Sequence, residues 1–203
     1  AREIRQYVYR TLSEILQSVP GFFAGYDRNY DYFGIRGFSR PGDYNSRFLL
    51  IVDGHKQNDN VYESASIGNE FVPDIDLIDR MEVIRGPASS LYGTNAFLGV
   101  INIVTRKAQD YGGVELSGAA GSYDSYKGRI TYGDRFKNGM EVVASASYSD
   151  SKGQSLYFGE YDGPLTHFGR ADGCDYEKYS QFFSTLKYRG ITLQGAYNSR
   201  EKG

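Results

Sequence analysis

The sequence contains no tryptophan, two methionines, two histidines and a single cysteine, Cys174. One cysteine excludes an internal disulfide and any site built from several thiolates of this chain. Cys174 is left either free or paired with a cysteine outside the sequence, and nothing in its Gly173-Cys174-Asp175 context chooses between the two. No cluster of His, Cys, Asp or Glu has ligand spacing, so no metal and no cofactor is expected. The formal net charge is only −2, which argues against nucleic acid as a partner. No stretch approaches the roughly 18 consecutive apolar residues of a membrane helix. A Gly-rich phosphate loop is missing, so nucleotide hydrolysis is not expected. Ser89 and Ser90 lack the G-x-S-x-G surroundings of a nucleophile, and neither His55 nor His167 stands in a triad pattern. An enzymatic role is therefore not expected. No leader is visible: Ala1-Arg2-Glu3-Ile4 opens inside a helical pattern, and Glu201-Lys202-Gly203 follows a strand-like run. The expectation is a piece of a longer protein.

What is abundant is tyrosine, 19 residues, with 12 phenylalanines and 25 glycines in 203 residues. That mixture suits β structure punctuated by tight turns. Ile4, Val8, Leu12, Ile15, Leu16 and Val19 fall at helical spacings and predict one helix ending at Pro20-Gly21. Within it, Thr11-Leu12-Ser13-Glu14 fits a capping box, hydroxyl and carboxylate each satisfying a free amide. Strand-like runs follow at Tyr32–Arg36, Phe48–Asp53, Arg80–Arg85 and Gly99–Thr105, each bounded by Gly or Pro breakers. All four are expected in one mixed sheet. Pro73 reads as the first helical residue of Asp74–Ile78. These elements predict a small α+β domain over residues 1–107.

After Lys107 the pattern changes to period two. Val114, Leu116, Ile130, Tyr132, Val142, Tyr148, Leu193 and Tyr197 alternate with Glu115, Arg129, Thr131, Ser145, Ser147, Thr192 and Gln194. Five such strands of near-spanning length are expected. Their connections are short at Gly121–Asp124, Phe136–Gly139 and Arg189-Gly190, and long from Ser151 to Asp175. The alternation alone is compatible with two solutions: a soluble antiparallel sheet with one wet face, or strands of a membrane barrel.

The first hundred residues separate the two. TLSEILQSVPG (Thr11–Gly21), FGIRGF (Phe33–Phe38), FLLIVDG (Phe48–Gly54) and IDLIDRMEVIRGPASSLYGTNAFLGVINIVTRK (Ile75–Lys107) stand in the order and spacing of the plug domain of TonB-dependent outer-membrane receptors, which this stretch resembles. A lone IRGP is a weak signal; the ordered set is specific. The resemblance implies a plug at 1–107 and, at 108–203, about five N-terminal strands of a transmembrane β-barrel that is otherwise missing. It implies a bacterial outer-membrane location, the plug reachable from the periplasm, and uptake powered by the energy-transducing protein TonB. The short N-terminal segment that the family offers to TonB is not visible, and whether a signalling domain precedes the plug is not decided by this sequence. The cargo implied is a bulky nutrient chelate, a ferric siderophore, cobalamin or haem, because receptors for glycans carry a different motif where IRGP stands here. The competing function is a soluble α+β binding or surface protein with a plug-like domain.

Residue by residue, the resemblance implies that Arg36 and Arg85 lock the plug to glutamates of the barrel wall, a task suited to a planar, permanently charged guanidinium. The alternative is ordinary strand-end charges paired to Glu82 or a nearby aspartate. Gly86, Pro87 and Gly93 shape the turn. Candidate ligand contacts are Arg40, Asp43, Tyr44 and Asn45 after IRGF, and His55, Gln57, Asn58, Asn60 and Tyr62 after VDG. Such loops offer aromatic area, charge and directional amides to a polar ligand. His55 alone in a polar loop is a weak haem ligand. Open strand edges at both sides of the truncated sheet predict self-association.

Overall fold

A computed structural model describes residues 4, 6–39 and 42–203. The chain forms two compact units, Ala1–Lys107 and Ala108–Gly203.

In the first unit the helix α1 spans only Leu12–Gln17. Thr11 caps it, its Oγ1 accepting from the Glu14 amide at 3.2 Å. The Glu14 carboxylate accepts from the Arg10 amide at 2.6 Å, one residue before the cap. The helix predicted from Ile4 is thus interrupted. Ile4 and Gln6 are helical, but Tyr7 and Val8 turn, Val8 has φ +54° and its side chain is exposed. A capping box is a start signal, and it ends whatever precedes it. Ala1, Arg2 and Glu3 lie outside the described residues.

The core sheet has the order β4-β3-β6-β5, built from β3 (Phe48–Val52), β4 (His55–Lys56), β5 (Ile78–Arg85) and β6 (Gly99–Thr105). β3 and β6 run parallel, Phe48 opposite Gly99, while β5 pairs antiparallel with β6. Parallel neighbours buried on both faces read as continuous apolar runs, as FLLIV does here. Gly99 is required by crowding: a Cβ there would meet the Ile84 carbonyl oxygen at 2.6 Å. Leu12, Leu16, Phe33, Phe48, Leu50, Ile67, Ile101 and Ile103 form the buried core.

One strand departs from expectation. Asp31–Ile35 (β2) does not join the mixed sheet; it forms a separate hairpin with Phe22–Tyr26 (β1). β1 had no periodic apolar signal, because Gly25 and Tyr26 run straight into a turn at Asp27, whose carboxylate accepts from the Asn29 and Tyr30 amides at 2.9 and 2.7 Å. Pro73 is not a helical first residue either. Asp74 caps a single 3-10 turn, Ile75–Leu77, by accepting from the Asp76 amide at 3.0 Å. A short helix α2, Ser89–Tyr92, follows Pro87 and ends at Gly93 with φ +79°.

The second unit is an antiparallel meander in the order β13-β12-β9-β8-β7. Its strands are β7 (Gly113–Gly121), β8 (Ser125–Arg135), β9 (Glu141–Ser151), β12 (Glu177–Tyr188) and β13 (Ile191–Lys202). A small hairpin, β10 (Leu156–Tyr157) with β11 (Arg170–Ala171), lies in the long connection. The register aligns Leu116, Ile130, Ala146, Phe182 and Tyr197 across the sheet on one face. That face is exposed: Leu116 is 75% accessible, Leu193 64% and Tyr197 61%. Ile130 and Tyr148 are exposed with them, and Tyr132 and Val142 are half-buried. The other face is buried and mixes Arg129, Thr131, Ser145, Ser147 and Gln181 with Val143, Tyr179 and Phe183. Arg129 reaches Glu115 at 2.7 Å and also bonds Thr131. Thr131 continues to the Ser145 hydroxyl at 2.8 Å, and Ser147 to Gln181 at 3.4 Å.

Two outcomes are expected from this packing. Ile101→Ala removes a fully buried side chain from the centre of the mixed sheet; it should cost about 2–5 kcal/mol in denaturant melts of the first unit. The exposed apolar face should make the chain associate in detergent-free buffer. Sedimentation should show a concentration-dependent mass that detergent reduces to monomer; a monomer at all concentrations in water would contradict this.

Candidate functional site

The two loops around β3 follow from the strand's own geometry. Residues 42–47 enter at the Phe48 end, and Gly54 turns the chain at the Val52 end into the β4 hairpin. The chain then runs back along β3. Gln57 donates its amide to the Leu50 carbonyl at 2.8 Å. Asn58 accepts from the Leu50 amide at 3.0 Å and donates to the Phe48 carbonyl at 2.9 Å. Residues 59–65 therefore end up beside residues 43–47, where the Ala65 amide donates to the Tyr44 carbonyl at 3.0 Å. His55, opposite Val52, stays at the far end of the strand. The structure brings Tyr44 and Tyr62 to one apex and separates His55 from them.

The candidates differ in what they have left to offer. Asn45 is buried; its Oδ1 accepts from the Phe33 amide at 3.0 Å, and its Nδ2 donates to the Asp31 and Ala65 carbonyls at 3.1 and 2.9 Å. Asn58 is buried likewise, with a third bond to the Glu63 carbonyl at 2.9 Å. Both are backbone clamps, the side-chain amide of each already engaged by peptide groups of the chain. Their amides match peptide groups of the chain better than water would. Asp43 accepts from the Asn45 amide at 3.1 Å and faces Arg47 at 3.4 Å. Gln57 donates to the His55 carbonyl at 3.2 Å. Tyr44, Asn60 and Tyr62 remain exposed, Tyr62 at 78%. Tyr30, which sequence patterns did not single out, meets Tyr44 edge to face with ring centres 5.6 Å apart. Arg40 lies outside the described residues.

The tip that carries Tyr62 is organised by Asp59, another residue the sequence reading passed over. Its carboxylate accepts from the amides of Val61, Tyr62 and Ser64 at 2.8, 2.7 and 2.8 Å, and from the Ser64 hydroxyl. An acid followed at short range by a serine, in a run of Asn and Asp, is the signal that was available. Lys56 pairs with Glu63 at 2.5 Å. The acids of these loops are thus engaged locally, and what faces outward is Tyr44, Asn60, Val61 and Tyr62.

The arginines of the two RG motifs converge. The Arg36 amide donates to the Gly21 carbonyl at 2.9 Å. The Arg85 guanidinium donates to the Pro20 carbonyl at 3.0 Å. Both therefore sit at the corner after α1, although 49 positions separate them in sequence. Arg36 has φ +52° and its side chain is exposed. Glu82 is not a partner of Arg85. It bonds Arg80 at 2.8 Å and Asn102 at 2.8 Å, and Arg80 first, then Asn102, holds its carboxyl below the usual range. Gly86, with φ +117°, and Gly93 take backbone that other residues rarely adopt, as the turn role requires. Ser89 and Ser90 lie in α2. Among the described residues, no group of three or more His, Cys, Asp or Glu could hold a metal ion. Cys174 is free and exposed.

Asp59 yields a pH expectation. Hydrogen bonds, the Ser64 hydroxyl first and the Tyr62 and Val61 amides next, hold its carboxyl well below the usual carboxylate range. A depressed folded pKa means the contribution is complete above the unfolded value, about 3.9, and is lost only as pH falls through the folded value. Amide shifts of Val61, Tyr62 and Ser64 should stay constant from about pH 7 to 4 in NMR titration. An inflection near the ordinary aspartate pKa would contradict the geometry.

Comparison with known proteins places these features. Residues 1–100 match the family described as the TonB-dependent receptor plug domain. The iron-regulated outer membrane virulence protein of Vibrio cholerae is 36% identical over 121 residues, covering 57% of this chain and 18% of that protein. The vitamin B12 transporter BtuB of Vibrio vulnificus is 30% identical over 158 residues, covering 75% of this chain and 24% of that protein. The crystal structure of the ferric yersiniabactin uptake receptor FyuA of Yersinia pestis shares the fold, with TM-score 0.64 and 22% identity over 92% of this chain and 27% of the receptor. The chain thus spans about a fifth to a quarter of the length of these curated relatives.

Proposed function

The chain belongs to the TonB-dependent outer-membrane receptors, and from that premise we propose that the receptor carrying it imports a bulky nutrient chelate. A ferric siderophore, cobalamin or haem is the class of cargo, and TonB supplies the energy. In this reading residues 1–107 are the plug and residues 108–203 are the first strands of the barrel wall. The observation that supports it best is the inverted polarity of the second sheet. A water-soluble sheet with one wet face turns its apolar side chains inward. Here Leu116, Ile130, Phe182, Leu193 and Tyr197 are exposed, while the buried face carries Arg129, Thr131, Ser145, Ser147 and Gln181 together with Val143, Tyr179 and Phe183. That is the arrangement of strands with lipid outside and a polar interior.

Within this reading the apex carrying Tyr44, Asn60 and Tyr62 meets the ligand, joined by Arg40 and Asp43, and loops of the wall supply the rest. Aromatic faces and hydroxyls give contact area with directional bonds. His55 and Gln57 stand apart from that apex, so haem capture through His55 has no geometric support. Arg36 and Arg85, held at the Pro20-Gly21 corner, lock the plug by pairing with carboxylates of the wall. Two permanently charged groups at one corner make a latch that pH near neutrality does not open. Capture outside, TonB engagement inside and plug rearrangement complete the cycle; this chain's residues form no covalent intermediate.

Uptake of labelled ferric siderophores, cyanocobalamin and haem by cells expressing the receptor tests the function. One of them should enter saturably, and entry should cease without TonB or with a protonophore. Transport of none, or transport indifferent to TonB, would overturn the proposal. For the latch, Arg36→Ala with Arg85→Ala should hasten amide exchange in β1 and β5 of the membrane-embedded receptor, and lysine at both positions should restore only part of the protection.

A further inference from the structure

Three segments of the first unit meet at a residue that neither the ligand loops nor the latch includes. Asn95 follows the end of α2 and has φ +69°. Its Nδ2 donates to the Ser46 carbonyl at 2.7 Å and to the Glu63 carbonyl at 3.3 Å. Ser46 belongs to the loop carrying Tyr44, and Glu63 to the loop carrying Tyr62. The Glu63 carbonyl also receives Asn58 Nδ2 at 2.9 Å. Asn45 Nδ2, bonded to the Ala65 carbonyl at 2.9 Å, closes the ring of contacts from the other side. Asn95 Oδ1 is buried and accepts no hydrogen bond among the described residues. The side chain is therefore oriented by its donors alone, with one hydrogen aimed at each loop.

From Asn95 the chain is tied back to the latch. The Ala88 amide donates to the Ala96 carbonyl at 2.9 Å, and the Gly86 amide to the Leu98 carbonyl at 3.0 Å. Gly86 follows Arg85, whose guanidinium holds the Pro20 carbonyl beyond α1. A short run of backbone bonds thus connects the apex to the corner where Arg36 and Arg85 converge.

We propose that Asn95 is a positioning residue for ligand capture. It fastens the 43–47 and 59–65 loops into one rigid unit and joins that unit to the segment leading to Arg85. A ligand that displaces either loop then displaces both, together with the strand end bearing the latch arginine. This rests on the receptor reading of the apex.

The left-handed backbone at residue 95 offers a clean variant. Asn95→Gly keeps φ +69° without strain and removes only the amide. Asn95→Asp keeps the shape and has no hydrogens to donate at neutral pH. Hydrogen exchange on the intact receptor should show the amides of Asn45, Ser46, Ser64 and Ala65 exchanging about tenfold faster in both variants, the two loops loosening together. Ile101 and Ile103 should keep wild-type protection. Binding is measured with three probes: ferric enterobactin, cyanocobalamin and haemin. The probe that wild type binds should bind Asn95→Gly about tenfold more weakly. Wild-type exchange in the glycine variant, or loosening of one loop only, overturns the proposal. Faster exchange with unchanged affinity also overturns it, reducing Asn95 to a structural tie. If wild type binds none of the probes and transports none, the receptor reading fails, while the exchange data still decide whether Asn95 couples the loops.

Discussion

The first unit depends on the parallel pairing of β3 with β6. It joins Phe48 to Gly99 across a long intervening segment, and closing such a loop costs entropy that only subsequent burial offsets. The return is the burial of Phe48, Leu50 and Val52 beside Ile101 and Ile103. Once this pair is set, its ends dictate the remainder. At the Val52 end, Asp53 accepts from the Thr105 amide at 2.9 Å and the Thr105 hydroxyl at 2.7 Å, fastening the two strand exits. At the Phe48 end, everything that reaches outward is collected: Tyr44, the Asp59 turn, α2 and Asn95. The apex is a product of strand direction, because parallel strands place both entrances on the same side.

The second unit is governed by solvent assignment rather than by its ladder. Backbone pairing in the meander would be the same with either face outward. What distinguishes the faces is the price of burying Arg129. Glu115 answers its charge, and Thr131 adds a hydrogen bond, which is the condition under which a buried ion pair is tolerable. Leu116, Ile130 and Leu193 on the exposed rows have no polar group that needs such an arrangement. One alternating pattern thus gives the sheet two unlike faces, and the polar network marks the buried one.

Much of this was legible in the sequence because the signals were local or periodic. Thr11 and Glu14 announced the start of α1, FLLIV announced a buried strand, and period-two alternation located the five long strands. Alternation by itself leans to a soluble sheet, and only the ordered plug motifs turned the reading toward a barrel. The failures have physical causes. Val8 fits a helical spacing but precedes a cap. Tyr32–Arg36 has strand residues but pairs with Phe22–Tyr26, a five-residue run too short and too little alternating to be noticed. Asn45 and Asn58 hold backbone groups of the chain, a use with the same sequence appearance as a loop amide facing a ligand. Asp59 works mostly on backbone amides, with Ser64 its one side-chain signal, and Asn95 works on carbonyls, which carry no side-chain code.

The long connection between β9 and β12 has a property of its own. Asp175 accepts from the Gln154 amide at 3.1 Å and from Lys202 at 2.7 Å, and Lys152 bonds both the Tyr123 carbonyl, at 3.1 Å, and Asp124, at 2.6 Å. The stems are therefore stitched to the adjoining hairpin and to the last strand, below a tip that shows Tyr161, Leu165 and Phe168 to the outside. Mechanically, the tip hangs from a closed ring. Residues beyond the ring can lengthen, shorten or be rewritten over generations without tugging on the ladder beneath. Such a hairpin lets a surface drift quickly while the sheet that bears it stays fixed.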